Sequence, residues 1–259
     1  MHWAQIRAPD VLSESTTAIR MTRQTPPVSF LRARFARDHH LGLPLTTGIL
    51  TVLSACALFA LVAAHALSPG ALVDFDQQIA DFLHARATPG LTQAVLAYTH
   101  LHGTVGVLAM SAVLAFFLLR QWPRASAWLL TLAITVPGGM LFNYWLKFQF
   151  QRIRPYFDQP ILVLHSYSFP SGHTIGATLF YSVLAAWLAS LPGNHARRPA
   201  IIAIAIILTV LTALSRLYLG AHFFSDVLAA MLEGLAWFAL WATIIFTVQR
   251  HQLVRKSSN

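Results

Sequence analysis

Residues 41–67 read LGLPLTTGILTVLSACALFALVAAHAL and contain no Asp, Glu, Lys or Arg. A helix needs about 20 mostly apolar residues to cross the hydrocarbon core of a bilayer, because each residue advances it by only about 1.5 Å. We therefore predict a membrane-spanning helix here. The composition of the chain agrees: 56% of its 259 residues are hydrophobic and 10% are charged, whereas soluble domains carry about 25% charged residues.

Further apolar stretches follow the first one. They lie within residues 102–119, 125–146, 173–191, 199–218 and 222–248. The predicted fold is therefore all-α, a polytopic membrane protein with six transmembrane helices between residues 41 and 249. Residues 1–40, which contain six arginines, are predicted to be a flexible basic tail, and residues 250–259 a short second tail.

The basic residues indicate which side of the membrane holds the two termini. Loops that stay in the cytosol carry an excess of Lys and Arg. With both termini in the cytosol of a bacterium, 13 of the 18 basic residues lie inside and five lie outside. This distribution explains the formal charge of +9 without nucleic acid as a partner, and the lipid bilayer is the partner that we predict. No pattern in the chain indicates an oligomeric state.

Residues 74–87, between the first two spans, have the pattern of an amphipathic helix. The apolar residues at positions i, i+4, i+7 and i+8 are Phe75, Ile79, Phe82 and Leu83. We predict a helix on the outer membrane surface. It either guides a lipid substrate or is a simple connector.

Unusual polar residues occupy three segments at the outer ends of the spans. The segments are Lys147 with Arg154-Pro155, then Pro170-Ser171-Gly172-His173, then Ser215-Arg216 with His222 and Asp226. Topology disfavours cations on the outside, so an anionic ligand is the natural reason for retaining them. Three converging cations suit a multiply charged oxyanion, since arginine forms forked contacts to phosphate and lysine supplies a compact charge.

The second segment opens the fourth span. A helix N-terminus presents free N–H groups and the positive end of a dipole, which favours an anion. Gly172 allows close approach of the backbone, and Ser171 adds a hydroxyl donor.

The third segment places a histidine and an acid four residues apart. His222 and Asp226 therefore share a helix face, where the carboxylate orients the ring and activates it as a nucleophile. Gly220 permits a tight turn before them. His173, on another helix, is left to protonate a leaving oxygen. No acidic cluster of metal-ligand type lies near these residues, so no metal and no cofactor are predicted.

Together the three segments resemble the signature of the type 2 phosphatidic acid phosphatase superfamily, which also includes soluble vanadium haloperoxidases and bacterial acid phosphatases. The resemblance implies that His222 forms a phosphohistidine, that Asp226 orients it, and that His173 protonates the leaving group. It also implies a set of ligands for the phosphoryl oxygens, namely Lys147, Arg154, Ser171, Gly172 and Arg216. The family's phosphatases are independent of metal.

The expected activity is that of a membrane phosphatase acting on a lipid phosphate at the outer face. Undecaprenyl pyrophosphate is the first substrate predicted, with phosphatidylglycerophosphate and phosphatidic acid as alternatives. A lipid phosphotransferase is a second reading. A non-catalytic lipid-binding or transport protein of the same fold is a third, but it predicts damaged motif residues and none are damaged. The six spans disfavour a haloperoxidase.

Other polar residues lie outside the signature. Arg152 either widens the anion site or contacts lipid headgroups. Glu233, two turns after Asp226, is predicted to make a structural hydrogen bond within the bundle. The outer-loop histidines His100, His102 and His165 are predicted to be solvated.

Overall fold

The computed structural model describes residues 42–257, and the basic tail predicted at residues 1–40 lies outside the described residues. The regular structure of the described part is helical. Its α-helices are α1 (Leu43–Ala66), α2 (Ala71–His84), α3 (Pro89–Leu101), α4 (Thr104–Arg120), α5 (Ser126–Phe150), α6 (Gly172–Ser190), α7 (Arg198–Tyr218) and α8 (Phe224–Ser257). A short 3₁₀ turn precedes α7 at His195–Arg197.

Five of these helices are long and apolar enough to cross a bilayer: α1, α5, α6, α7 and α8. Helices α3 and α4 qualify only as a pair that bends by 52° at the intervening break. The all-α, multi-spanning fold is therefore confirmed, with six spans if the bent pair counts as one. The second span was predicted within residues 102–119, and the structure adds α3 to it.

Helix α6 occupies the centre of the bundle and packs against α4, α5, α7 and α8. Small residues permit this close packing, as is usual between membrane helices. A Cβ added to Gly176 would lie 3.2 Å from Val107 of α4, and one added to Gly234 of α8 would lie 2.8 Å from Thr178 of α6. The core between these helices contains Ile175, Leu179 and Val183.

The outer helices carry large apolar side chains that the protein leaves uncovered. Examples are Leu53 on α1, Val113 on α4 and Ile206 on α7, all more than half exposed. Apolar surface of this extent is rare on soluble monomers. It suits contact with lipid tails.

Helix α2 was correctly predicted as a helix. Phe75 and Phe82 are 46% and 54% exposed, whereas Asp76 and Ala80 are buried. The helix packs against α7 and α8 with an acid on its inner face. The acid is tolerated there because it has charged and polar partners, described below.

Candidate active site

The three polar segments meet at one end of the bundle. Lys147 lies in the last turn of α5, Arg216 in the last turn of α7, and Asp226 in the first turn of α8. Ser171 caps the start of α6, and its backbone N–H donates to the carbonyl oxygen of Asp226 at 3.1 Å. Helix ends that were distant in sequence thus form one polar cluster.

His222 lies in the tight connection between α7 and α8, two residues before α8 begins, so the prediction that it shares a helix face with Asp226 is wrong. Gly220 has a φ of +62°, which an L-residue rarely adopts, and it turns the chain. Nδ1 of His222 lies 3.4 Å from Oδ2 of Asp226, which also accepts the Phe223 N–H at 2.9 Å. The histidine is 3% exposed. The predicted pairing of His222 with Asp226 is present.

The second ring nitrogen of His222 faces a cation. Nη1 of Arg154 lies 3.2 Å from Nε2 of His222. A guanidinium has no acceptor, so Nε2 must carry the lone pair and Nδ1 the proton. Burial lowers the pKa of His222 well below its usual value, and the charges of Arg154 and Lys147 lower it further. The ring is therefore neutral at neutral pH, the form that a nucleophile requires.

Three cations surround this ring, and none of them pairs with a carboxylate of the described residues. Arg154 donates to the Ser166 carbonyl oxygen at 2.7 Å, and also to the carbonyl oxygen of Ala221. Lys147 donates from Nζ to the carbonyl oxygens of Tyr167 at 2.9 Å and Ser168 at 3.2 Å. These partners are neutral, so they fix the side chains without cancelling their charge.

Arg216 is the third of these cations. Its Nη1 donates to Thr99 Oγ1 at 3.0 Å, and the residue is only 3% exposed. Its Nε is buried and has no hydrogen-bond partner among the described residues. A buried donor without an acceptor costs free energy. An anion bound beside Arg216 would supply the acceptor.

The start of α6 faces the same cluster. Ser171 is fully buried, and its Oγ accepts a hydrogen bond from Thr174 Oγ1 at 3.0 Å at the start of the helix. Its role as a donor to phosphate stays a prediction. A Cβ on Gly172 would lie 3.9 Å from Cε of Lys147. The ring of His173 points toward the break between α3 and α4, where its Nε2 neighbours Gly103.

Arg152 has a role that neither of its two predictions included. Its Nη1 donates to Asp226 Oδ1 at 2.6 Å and to Ser225 Oγ at 2.7 Å. Its Nη2 donates to Asp76 Oδ2 at 2.8 Å. The guanidinium is thus neutralised by two carboxylates, one of which belongs to Asp226.

Asp76 is the residue of this cluster that the sequence analysis missed. It belongs to the amphipathic segment, whose predicted helix face was defined by apolar residues alone. A signal was present, because Asp76 lies three residues before Ile79 and seven before Leu83, on their side of the helix. An acid within an apolar stripe is expected to be buried and to need a cation.

Two further polar residues have clear structural roles. Asn143 Nδ2 donates to Glu233 Oε2 at 2.8 Å, which confirms the predicted hydrogen bond within the bundle. The prediction that His102 is solvated is wrong. His102 is 1% exposed and lies 2.8 Å from the Tyr181 hydroxyl, because the break between α3 and α4 turns it inward. His100 and His165 are exposed as predicted.

Comparison with known proteins places this chain in a family. The model of the PAP2 superfamily matches residues 126–250. Phosphatidylglycerophosphatase B of Bacillus subtilis (strain 168) is 32% identical over 187 residues, which cover 71% of this chain and 89% of that protein. The crystal structure of a transmembrane PAP2 type phosphatidylglycerolphosphate phosphatase from the same species superposes with a TM-score of 0.66 at 30% identity, covering 74% of this chain and 94% of that one.

The chain therefore belongs to the PAP2 superfamily, which the three motif segments had predicted. Within that superfamily it is an integral membrane lipid phosphatase.

Proposed function

We propose that this enzyme hydrolyses the phosphomonoester of a glycerophospholipid through a phosphohistidine on His222, with phosphatidylglycerophosphate as the first candidate substrate. The name of the Bacillus subtilis relative supports this choice of lipid. Undecaprenyl pyrophosphate, the first prediction from the sequence, becomes the principal competitor in the test.

The proposal is carried by one observation. Lys147, Arg154 and Arg216 surround a buried histidine while neutral oxygens, not carboxylates, hold them in place. Phosphoryl transfer depends mainly on positioning and on stabilising the charge of the equatorial oxygens. Preorganised cations in a buried site do this effectively, because they need little rearrangement as charge develops.

In the first step, Nε2 of His222 attacks phosphorus and the bond to the lipid oxygen breaks. Arg154, which donates to Nε2 in the resting site, transfers that donation to a phosphoryl oxygen. His173 gives its proton to the leaving lipid oxygen. Asp226 holds the Nδ1–H of His222 and stabilises the positive charge that the ring acquires.

In the second step, a water molecule attacks phosphorus and the bond to His222 breaks. His173 accepts the water proton, which restores its starting state, and inorganic phosphate leaves. A lipid hydroxyl in place of water would make the enzyme a phosphotransferase. Product analysis therefore decides between the two activities.

We place this site at the outer face of a bacterial cytoplasmic membrane, with both termini in the cytosol. The support is the excess of Lys and Arg on the opposite side of the predicted spans. The substrate phosphate would then be removed outside the cell.

The decisive experiment measures phosphate release by the detergent-purified protein from phosphatidylglycerophosphate, phosphatidic acid and undecaprenyl pyrophosphate. We expect the highest kcat/KM with phosphatidylglycerophosphate, no effect of EDTA, and no phosphorylated acceptor lipid. His222→Ala should reduce release to background and eliminate an acid-labile phosphoprotein.

The matched control is His100→Ala, which removes an exposed histidine of the same end of the bundle. It should retain wild-type turnover. Full activity of His222→Ala would reject the nucleophile. A higher kcat/KM for undecaprenyl pyrophosphate would reject the choice of lipid but keep the mechanism.

A further inference from the structure

The carboxylate of Asp76 on α2 is fully buried beside the active site, although it lies outside all three motif segments. Its partners Arg152 and Ser225 lie 76 and 149 residues away in sequence. Of its two partners, Arg152 bonds the carboxylate of Asp226, and Ser225 directly precedes Asp226 in the chain. Helix α2 therefore contacts the active site in addition to connecting two spans.

Arg152 is the bridge between the two acids. Its guanidinium gives one nitrogen to each carboxylate, Nη1 to Asp226 at 2.6 Å and Nη2 to Asp76 at 2.8 Å. The ring of Phe223 lies 4.4 Å below the guanidinium and fixes its plane. The planar fork of arginine holds two anions at fixed relative positions, whereas the three donors of an ammonium have no such fixed plane.

Asp76 also holds the start of the helix that carries Asp226. Its Oδ1 accepts the backbone N–H of Ser225 at 2.8 Å, and its Oδ2 accepts the Ser225 hydroxyl. Ser225 lies in the first turn of α8, where N–H groups lack partners within the helix. A carboxylate from α2 therefore caps the N-terminus of α8, where its negative charge interacts favourably with the helix dipole.

We propose that Asp76 is a positioning residue for the nucleophile, acting through Arg152 and Asp226; this rests on the proposed function of His222. The physical reason is competition for the carboxylate of Asp226. Without Asp76, the guanidinium of Arg152 would be free to bond both carboxylate oxygens of Asp226, because arginine usually pairs with a carboxylate through two parallel hydrogen bonds. By engaging Nη2, Asp76 restricts Arg152 to Oδ1 and leaves Oδ2 for Nδ1 of His222.

The test is a double-mutant cycle of Asp76→Asn and Arg152→Gln, assayed for phosphate release in detergent. We expect Asp76→Asn to lower kcat by about 10- to 100-fold, since small misplacements of a reacting group have effects of this size. KM and the inhibition constant of inorganic phosphate should change less than about two-fold, because Lys147, Arg154 and Arg216 are untouched. The double variant should be no slower than Arg152→Gln alone.

Two further variants make the result specific. Asp74→Asn removes an exposed acid of the same helix and should keep wild-type kcat. Arg152→Lys keeps the positive charge but lacks the planar fork, so its kcat should remain as low as that of Arg152→Gln. If Asp76→Asn does not yield folded protein, Ser225→Ala takes its place, because it removes only the hydroxyl shared by Asp76 and Arg152.

The proposal is overturned if kcat of Asp76→Asn matches that of Asp74→Asn, or if the two losses multiply in the double variant. Wild-type kcat in Ser225→Ala would overturn it in the substitute cycle. The activity of the wild-type protein in the same assay tests the proposed function separately, so failure of one proposal is distinguishable from failure of the other.

Discussion

The partners of Lys147, Arg152, Arg154 and Arg216 divide these four cations of the active site into two groups. Arg152 pairs with Asp76 and Asp226 and is therefore electrically satisfied. Lys147, Arg154 and Arg216 bond to neutral oxygens instead. The residue types alone do not separate these groups, because arginine serves in both.

The role of His173 as a proton donor can be tested through the leaving group. His173→Ala should lower kcat on an alkyl phosphate, such as a glycerophospholipid, by about 10²- to 10⁴-fold. The loss on p-nitrophenyl phosphate should be much smaller, because nitrophenolate leaves without a proton. Initial rates on both substrates provide the measurement. Equal losses on the two would exclude His173 as the acid.

At the scale of elements, the connection between α7 and α8 sets the position of the nucleophile. Gly220 has a left-handed conformation, and a Cβ there would lie 2.8 Å from the Phe157 ring. Phe157 stacks on the ring of His84 at the end of α2. The turn is thus held between the outer loop and the amphipathic helix.

Gly220→Ala should destabilise the protein and reduce turnover, since His222 follows two residues later. A left-handed alanine costs about 1 kcal/mol, and the contact with Phe157 adds to that cost. The unfolding temperature in detergent is the measurement. Gly193→Ala is the matched control, because Gly193 also has a positive φ of 85° but no atom within 4 Å of an added Cβ. A drop in Gly220→Ala no larger than in this control would remove the packing argument.

Helix α2 illustrates how an element can carry more than its pattern suggests. Its sequence predicts an interfacial helix whose phenylalanines belong to the apolar face that lies on the membrane surface. In the structure those rings are about half exposed, and the acid faces inward toward Arg152. The charged contact determines the rotation of the helix, because an unpaired buried carboxylate costs far more free energy than an exposed apolar ring beside a bilayer.

For the whole molecule, the orientation in the membrane remains a prediction that labelling can test. Asp158 lies in the loop next to the site, and His195 lies in the loop between α6 and α7. In a Cys56→Ser background, which removes the single cysteine, Asp158→Cys should react with a membrane-impermeant maleimide in intact bacterial cells. His195→Cys should react only after lysis. The reverse pattern would place the site in the cytosol.

The sequence by itself determined the membrane class, the approximate spans and the three motif segments. An apolar stretch long enough to cross a bilayer indicates a membrane-spanning helix. Motif residues such as Ser171, Arg216 and His222 are recognisable by their spacing alone. These features are local, so short windows of sequence contain them.

Only the tertiary structure decided which cations lack a carboxylate partner among the described residues, that His102 is buried, and that Asp76 contacts Arg152 and Ser225. Spans in a bilayer are apolar on every side, so hydropathy does not reveal which face meets lipid and which meets another helix. The contact between Asp76 and Ser225 joins residues 149 positions apart. Packing of α2 against α8 creates this contact, and no spacing within either segment predicts it.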